Sequence, residues 1–127
     1  MTENKNIIAV HKSREIILNI LSRRGFETDD YIGFSVNEIH TLINNNQLDI
    51  LLQHKENGKK AYIKYYNLEK TIRPANIHEI VESLFTIEQI LTPIDDLIII
   101  TRDEPNDSLQ KLMRSIYAHD QIFVTLN

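Results

Sequence analysis

The sequence predicts an α/β fold: one domain over residues 1–127, with a mixed central sheet covered by helices. Three observations favour this fold class. Helical spacings alternate with short apolar runs in the order α, α, β, β, α, β, α, β. The second half alternates strand, helix, strand, helix, strand, which is typical of sheets with parallel strands. The composition, 42% hydrophobic and 25% charged, is that of a globular chain.

The first predicted helix covers residues 10–24. Val10, Ile17 and Leu21 recur at helical spacing and form one apolar stripe. Two arginines at its end suit the negative pole of the helix dipole, and Gly25 suits the left-handed conformation that often follows a helix. We therefore expect an amphipathic helix that ends before Gly25.

Two further helices are predicted from their N-terminal signals. Over residues 35–45, Ser35 and Glu38 have the spacing of a capping box, followed by apolar residues at helical spacing. Asn76 begins a third helix, again with an acid, Glu79, three residues later. This helix is expected to end before the next proline, because proline breaks the helical hydrogen-bond pattern.

A β-hairpin is predicted over residues 48–66. Its strands run from Leu48 to Gln53 and from Ala61 to Tyr66, and Asn57-Gly58 is expected to supply the positive φ angles of a tight turn. The remaining elements are a strand buried on both faces over residues 96–101, a helix over 106–118 and a last strand over 121–126.

The residue types exclude several classes of function. There is no cysteine, so a disulfide framework, a thiolate nucleophile and a thiolate metal site are excluded. The histidines lack metal-ligand spacing and the glycines are isolated, so we predict no metal, no cofactor and no phosphate-binding loop. No apolar run reaches the roughly 18 residues of a membrane span, and no signal peptide is evident. We expect a soluble intracellular protein.

Charge is unevenly distributed along the chain. The net charge is −4, whereas a free-standing nucleic-acid binder is usually basic. Residues 55–73 nevertheless carry six basic residues against two acidic ones, and residues 79–104 carry seven acidic residues against one basic residue. Tyrosines lie among the basic residues, so this stretch is a candidate contact for a polyanion; a solvated surface is the alternative.

The hairpin has nearly the layout of a metal-dependent nuclease site. Such sites combine an acid on the first helix, an aspartate at the start of a strand, and Glu-x-Lys on the next strand. Glu15, Asp49 and Lys64 occupy three of these positions, but Tyr62 stands where the second strand should carry its glutamate. We therefore predict no catalytic residue, and an ordinary hairpin with a surface aspartate and lysine is the alternative.

The predicted first helix runs into Arg24-Gly25-Phe26, and the hairpin at 48–66 follows. After it come the helix at 77–91, the strand from Leu97 to Thr101, the loop at Pro105, a further helix and a closing apolar strand. In this order of elements, and at Arg24-Gly25-Phe26, where the family has Arg-Gly-Tyr or Arg-Gly-Phe, the chain resembles the N-terminal jaw domain of subunit five of eukaryotic-type DNA-directed RNA polymerases. The resemblance covers about residues 10–127.

The resemblance implies a restriction-endonuclease-like core without nuclease activity, in which Glu15, Asp49, Tyr62 and Lys64 are vestigial. It implies a non-catalytic polymerase subunit that acts in transcription beside downstream duplex DNA, with the largest subunit and other polymerase subunits as partners. The family's C-terminal assembly domain is expected to be absent. A large DNA virus is a fitting source, with the host cytoplasm or virion as its location, and a cellular protein would be nuclear. The candidate contacts to the DNA backbone are Lys55, Lys59, Lys60 and Lys64.

Two other functions fit the sequence. The first is a divergent metal-dependent nuclease or Holliday-junction-resolvase-like enzyme that uses Glu15, Asp49 and Lys64 with a substitute for the missing glutamate. The resolvase comparison rests on the opening helix, in which an acid is followed by apolar residues and Gly-Phe. The second is an interaction module, which requires only the fold.

Overall fold

The computed structural model describes residues 2–66, 70–101, 107–108, 111–112 and 122–125. The elements follow the predicted order as far as these residues extend. The predicted helix over 106–118 lies mostly outside them, although the described residues of that segment are helical. The elements are α1 (Thr2–Arg23), α2 (Val36–Asn44), β1 (Ile50–Gln53), β2 (Lys60–Tyr65), α3 (Pro74–Val81), a π-helical segment (Glu82–Ile87), β3 (Asp96–Thr101) and β4 (Ile122–Thr125).

The strands form a mixed sheet in the order β1-β2-β3-β4. β1 and β2 are antiparallel, with Ile50 opposite Ile63, whereas β2–β3 and β3–β4 are parallel. Consecutive parallel strands require crossover connections, and α3 with the π-helical segment lies in the connection between β2 and β3. The predicted α/β class with a mixed sheet is therefore confirmed.

The sheet separates two hydrophobic clusters, because side chains alternate between its faces along each strand. One cluster joins α1 and α2 to β1, β2 and β3, and includes Ile63 and Ile98. The other joins α3 and the π-helical segment to β2 and β3, and includes Tyr62, Leu97 and Ile99. Since β3 contributes to both clusters, its nearly unbroken apolar sequence is explained, as predicted.

The capping box predicted for the second helix and the left-handed glycine predicted after the first helix are both present. Ser35 Oγ accepts from Glu38 N at 3.1 Å, and Glu38 Oε1 accepts from Ser35 N at 3.0 Å, which completes the capping box of α2. Gly25 follows α1 with φ +97°. A Cβ atom at Gly25 would lie 2.9 Å from His54 Cε1 and closer still to Nε2, so the imidazole ring occupies the space that any larger residue would need.

The predicted start of the third helix is wrong. α3 begins at Pro74, whose fixed φ suits the first helical position and whose missing N–H needs no partner there. Asn76 is not the N-cap; its Oδ1 accepts from Arg73 N at 2.9 Å. After Val81 the helix continues as a π-helix over Glu82–Ile87. At its end, Glu88 N donates to Ser83 O, five residues back, at 2.8 Å.

The hairpin turn differs from the prediction as well. Gly58 has φ +73°, but within the described part of the chain Asn57 has no positive φ. Asn57 instead accepts a hydrogen bond from Lys59 N through its side-chain oxygen at 2.8 Å. The connection is therefore a longer loop, from His54 to Lys59, closed partly by a side chain.

The chain that follows α1 runs along the outer side of β1. Glu27 N donates to the carbonyl of Gln53 at 2.9 Å, and the Tyr31 hydroxyl donates to the carbonyl of Leu51 at 3.2 Å. These bonds attach the loop between α1 and α2 to the strand at the end of the sheet.

Candidate functional site

Asp49 is held at the end of the hairpin by the register of its strands. It precedes β1 rather than beginning it, so the predicted strand start at Leu48 is two residues too early. Because Ile50 pairs with Ile63, one further step places Asp49 opposite Lys64. Tyr62 and Lys64 are two residues apart on β2 and share the sheet face that α3 covers. The structure therefore brings together three of the four predicted nuclease-like positions.

The Asp49 carboxylate is engaged by three donors. Its Oδ2 accepts from the Tyr62 hydroxyl at 2.9 Å and from Lys64 Nζ at 3.0 Å, and its Oδ1 accepts from Tyr65 N at 3.1 Å. Burial first, and then the Asp49 charge, raise the pKa of Tyr62 well above its usual value. Tyr62 therefore stays protonated and donates to Asp49, whereas a glutamate in its place would supply a second carboxylate.

A cavity of about 360 Å³ lies beside this network. Asp49, Tyr62 and Lys64 line it from the hairpin, and two exposed carboxylates, Glu79 and Glu88, line it from α3 and the end of the π-helical segment. Among the residues that the structure describes, no group of three or more acidic or histidine side chains is close enough to hold a metal ion. The cavity therefore contains acidic groups without a preformed cation site.

Glu15 does not join the Asp49 network. α1 packs on the face of the sheet opposite to Lys64, since its buried residues belong to the cluster that contains Ile63. The Glu15 carboxylate is exposed and lies 3.3 Å from His11 Nε2, one helical turn away. The structure places this acid in a separate cavity between α1 and the loop that follows it.

Three of the four candidate DNA-contacting lysines bind groups of the protein itself. Lys59 Nζ lies 3.1 Å from Asp96 Oδ2, Lys60 Nζ donates to the carbonyl of Ile90 at 3.1 Å, and Lys64 binds Asp49. Lys55 is exposed in the hairpin loop, and within the described ranges it forms no ion pair. The four ammonium groups therefore differ in how available they are to a phosphate.

Two buried charged residues were not predicted. Asp95 is 3% exposed and accepts from Lys60 N and from Thr92 N, each at 2.8 Å. The sequence did contain a signal for this role: Asp95 follows Thr92 by three residues with a proline between them, and such short polar pairs often close turns. Arg14 is also 3% exposed. It lies four residues after Val10, and this spacing places it on the core-facing side of α1.

No protein-family model, curated protein or solved structure matches this chain. Within residues 2–66 and 70–101 and the short described segments beyond them, no helix combines the length and the apolar character that crossing a membrane requires.

Proposed function

We propose that this chain is a non-catalytic, jaw-like domain of a multisubunit DNA-directed RNA polymerase. In this proposal the domain lies beside the downstream duplex DNA, and the largest subunit is its main partner. The resemblance at Arg24-Gly25-Phe26 and the order of the elements support it. The same proposal includes that the α/β fold of this chain is a restriction-endonuclease-like core. The polymerase would be nuclear, or would act in the host cytoplasm or virion of a large DNA virus.

The engagement of the Asp49 carboxylate is the observation that carries the non-catalytic part of this proposal. A nuclease metal ion needs carboxylate oxygens with free lone pairs from two or more residues. Asp49 accepts from Tyr62, Lys64 and Tyr65 N, so most of its acceptor capacity is already used. Tyr62 adds a proton donor where a second anionic ligand is required. This arrangement favours a scaffold that stabilises the hairpin over a catalytic centre.

The DNA contact in this proposal is made to phosphates, which position a protein without reading sequence. Lys55 is the most direct candidate, because its side chain is exposed and forms no ion pair among the described residues. Lys59, Lys60 and Lys64 contribute positive potential, but their ammonium groups are shared with protein acceptors. The salt dependence of DNA contact should therefore be shallow.

Crosslinking to downstream DNA in the assembled polymerase tests this contact. Reversal of all four lysines to glutamate should abolish the crosslink, and Lys55→Glu alone should weaken it without altering the fold. Lys12→Glu is the matched control, because Lys12 is an exposed lysine on α1 that is not among the four candidate contacts. If the fourfold variant folds and crosslinks as well as the wild-type chain, the assignment of these lysines fails.

Purification from the native source tests the polymerase role itself. The tagged gene product should elute with two very large subunits, which mass spectrometry would identify by their masses and peptides. The same spectrum gives the intact mass of the tagged chain, to be compared with 14.9 kDa. Elution without polymerase subunits under gentle conditions would contradict the proposal.

One observation favours a second candidate, a divergent nuclease. Glu79 and Glu88 line the same cavity as Asp49 and Lys64, and either could replace the missing glutamate of the hairpin. Incubation with branched and linear DNA in Mg²⁺ or Mn²⁺ tests this candidate. Cleavage that is lost in Asp49→Ala would support the nuclease, and no cleavage at high protein concentration would rule it out.

A further inference from the structure

Arg14 is a buried cation with few partners. Its side chain is 3% exposed, and it projects from α1 toward the loop over residues 28–34. Nη2 donates to the carbonyl of Tyr31 over a long distance of 3.4 Å. Nε and Nη1 are buried and have no hydrogen-bond partner among the residues that the structure describes. The aromatic ring of Phe34 lies 4.8 Å from the guanidinium carbon.

Such a group is normally matched by an anion. A guanidinium stays protonated in proteins, and a buried charge without a hydrogen-bonded counter-ion is strongly unfavourable. The described ion pairs place no carboxylate on Arg14. Glu15 approaches His11 instead, and Asp29 is exposed. The stacked aromatic rings offset part of the cost through cation–π attraction, but they accept none of the unpaired N–H groups as a carboxylate or phosphate would.

A cavity lies beside this guanidinium. It has a volume of about 310 Å³, within the lower range for small-molecule sites, and Arg14 is part of its wall. Polar side chains of α1, including Asn19 and Ser22, line it together with Thr28 and the apolar side chain of Ile32. The cavity therefore combines a cation, neutral polar groups and an apolar wall.

We propose that this cavity binds a small molecule through an oxyanion, a carboxylate or a phosphate group, that pairs with Arg14. The guanidinium is at present covered by Tyr31 and Phe34, so the oxyanion enters as these side chains move aside. The contact that it replaces is the weak Nη2 bond to the neutral Tyr31 carbonyl, and charge-assisted hydrogen bonds are shorter and stronger than neutral ones. His11 keeps the loop attached during this exchange, because its Nε2 lies 2.8 Å from the carbonyl oxygen of Phe34.

The carboxylates at the cavity limit its ligand. Glu15 and Asp29 both line the wall and are exposed, so they repel a large polyanion more than a single oxyanion that reaches Arg14. The 310 Å³ volume also limits the ligand to a small molecule. This site is on the sheet face opposite to the Asp49 network, so it is independent of the polymerase proposal.

NMR of the ¹⁵N-labelled chain tests the site directly through the side-chain Nε–H signal of Arg14. Inorganic phosphate and sodium acetate are titrated separately, with sodium chloride as the salt control. Arg23 and Arg24 are exposed and serve as internal references. A saturating shift of the Arg14 signal with only one of the two anions identifies the oxyanion as phosphate or carboxylate, and a shift with both supports a general oxyanion site. No shift with either anion, or shifts equal to those of the references, would overturn the proposal.

Substitution gives a second, independent readout. Arg14→Met keeps the length of the side chain and removes the charge, and Arg23→Met is the matched control on the same helix. The saturable increase in melting temperature with the effective anion should persist in the control. In Arg14→Met the dissociation constant for the anion should be larger by roughly tenfold or more. Without anion, Arg14→Met should melt no lower than the wild-type chain, because an unpaired buried charge is lost. A purely structural Arg14 would instead give a less stable variant and no saturable anion effect in either chain.

Discussion

Removal of the Asp49 side chain distinguishes a structural carboxylate from a poised metal ligand. Catalytic and metal-binding groups are often held at a cost in stability, so their substitution is commonly neutral or stabilising. Asp49 has the opposite arrangement, since three donors converge on it. We therefore expect Asp49→Ala to destabilise the protein substantially.

The magnitude follows from the three partners of Asp49. Loss of an acceptor for the Tyr65 backbone N–H costs about 1.5 kcal/mol, and loss of the bond from the Tyr62 hydroxyl costs about 1 kcal/mol. The side chains of Lys64 and Asp49 are 34% and 26% exposed, so their ion pair adds only about 0.5 kcal/mol after screening. The sum is about 3 kcal/mol, or a decrease of about 10 °C in melting temperature for a chain of this length.

Urea denaturation followed by circular dichroism measures this difference. Glu88→Ala is the matched control, because it removes an exposed carboxylate from the same cavity and should change stability by no more than about 0.5 kcal/mol. A loss of less than about 1 kcal/mol in Asp49→Ala would refute the structural interpretation. It would also shift the balance toward the nuclease candidate.

Three further predictions concern backbone strain, pH and capping. Gly25→Ala should lower the free energy of unfolding, measured by urea denaturation, by about 3 kcal/mol, because of the positive φ and the displacement of His54. Gly33→Ala has only the strained φ and should lower it by about 1 kcal/mol. Equal losses in the two variants would contradict the role of the imidazole. Although burial opposes ionisation, backbone and side-chain hydrogen bonds hold the pKa of Asp95 below its ordinary value of 3.8. The contribution of Asp95 to the free energy of unfolding should therefore be complete at pH values above 3.8 and disappear as the pH falls through the folded-state pKa. Plots of stability against pH for the wild-type chain and Asp95→Asn should converge in acid. Ser35→Ala should cost about 1 kcal/mol, and an unchanged melting temperature would argue against the capping box.

The elements with local signals could be predicted from the sequence. The capping box of α2 needs only Ser35 and Glu38, and the left-handed residue after α1 needs only Gly25. The apolar strand from Asp96 to Thr101 likewise follows from its composition. In each case, residues that are close in sequence determine the conformation, so the pattern is visible without knowledge of the fold.

The predictions that were wrong concern features that depend on competing local signals or on contacts between distant residues. Asn76 was predicted as the start of the third helix, but Pro74 upstream offers a better first helical residue. The π-helical segment adds a residue to a turn, and helical periodicity alone does not reveal it. Glu15 and Asp49 were expected in one site, yet a helix can pack on either face of a sheet, and this choice depends on tertiary packing.

Three of the four site positions come together because strand pairing sets which residues lie opposite one another and alternation sets which face they share. Once Ile50 pairs with Ile63, Asp49 must lie near Lys64, and Tyr62 must share its face. Arg14 was missed because a charged residue in a helix is usually assigned to its exposed side. Its spacing from the apolar stripe was the contrary signal, and only the packed structure shows that two of its nitrogen atoms lack a hydrogen-bond partner within the described part of the chain.

The loop attached to β1 has a consequence for association between molecules. An end strand normally presents free N–H and C=O groups, onto which a strand from another chain can add. Here Glu27 N and the Tyr31 hydroxyl already occupy the carbonyls of Gln53 and Leu51. The loop thus obstructs intermolecular β-pairing at these two carbonyls, so that an added strand would first have to displace it.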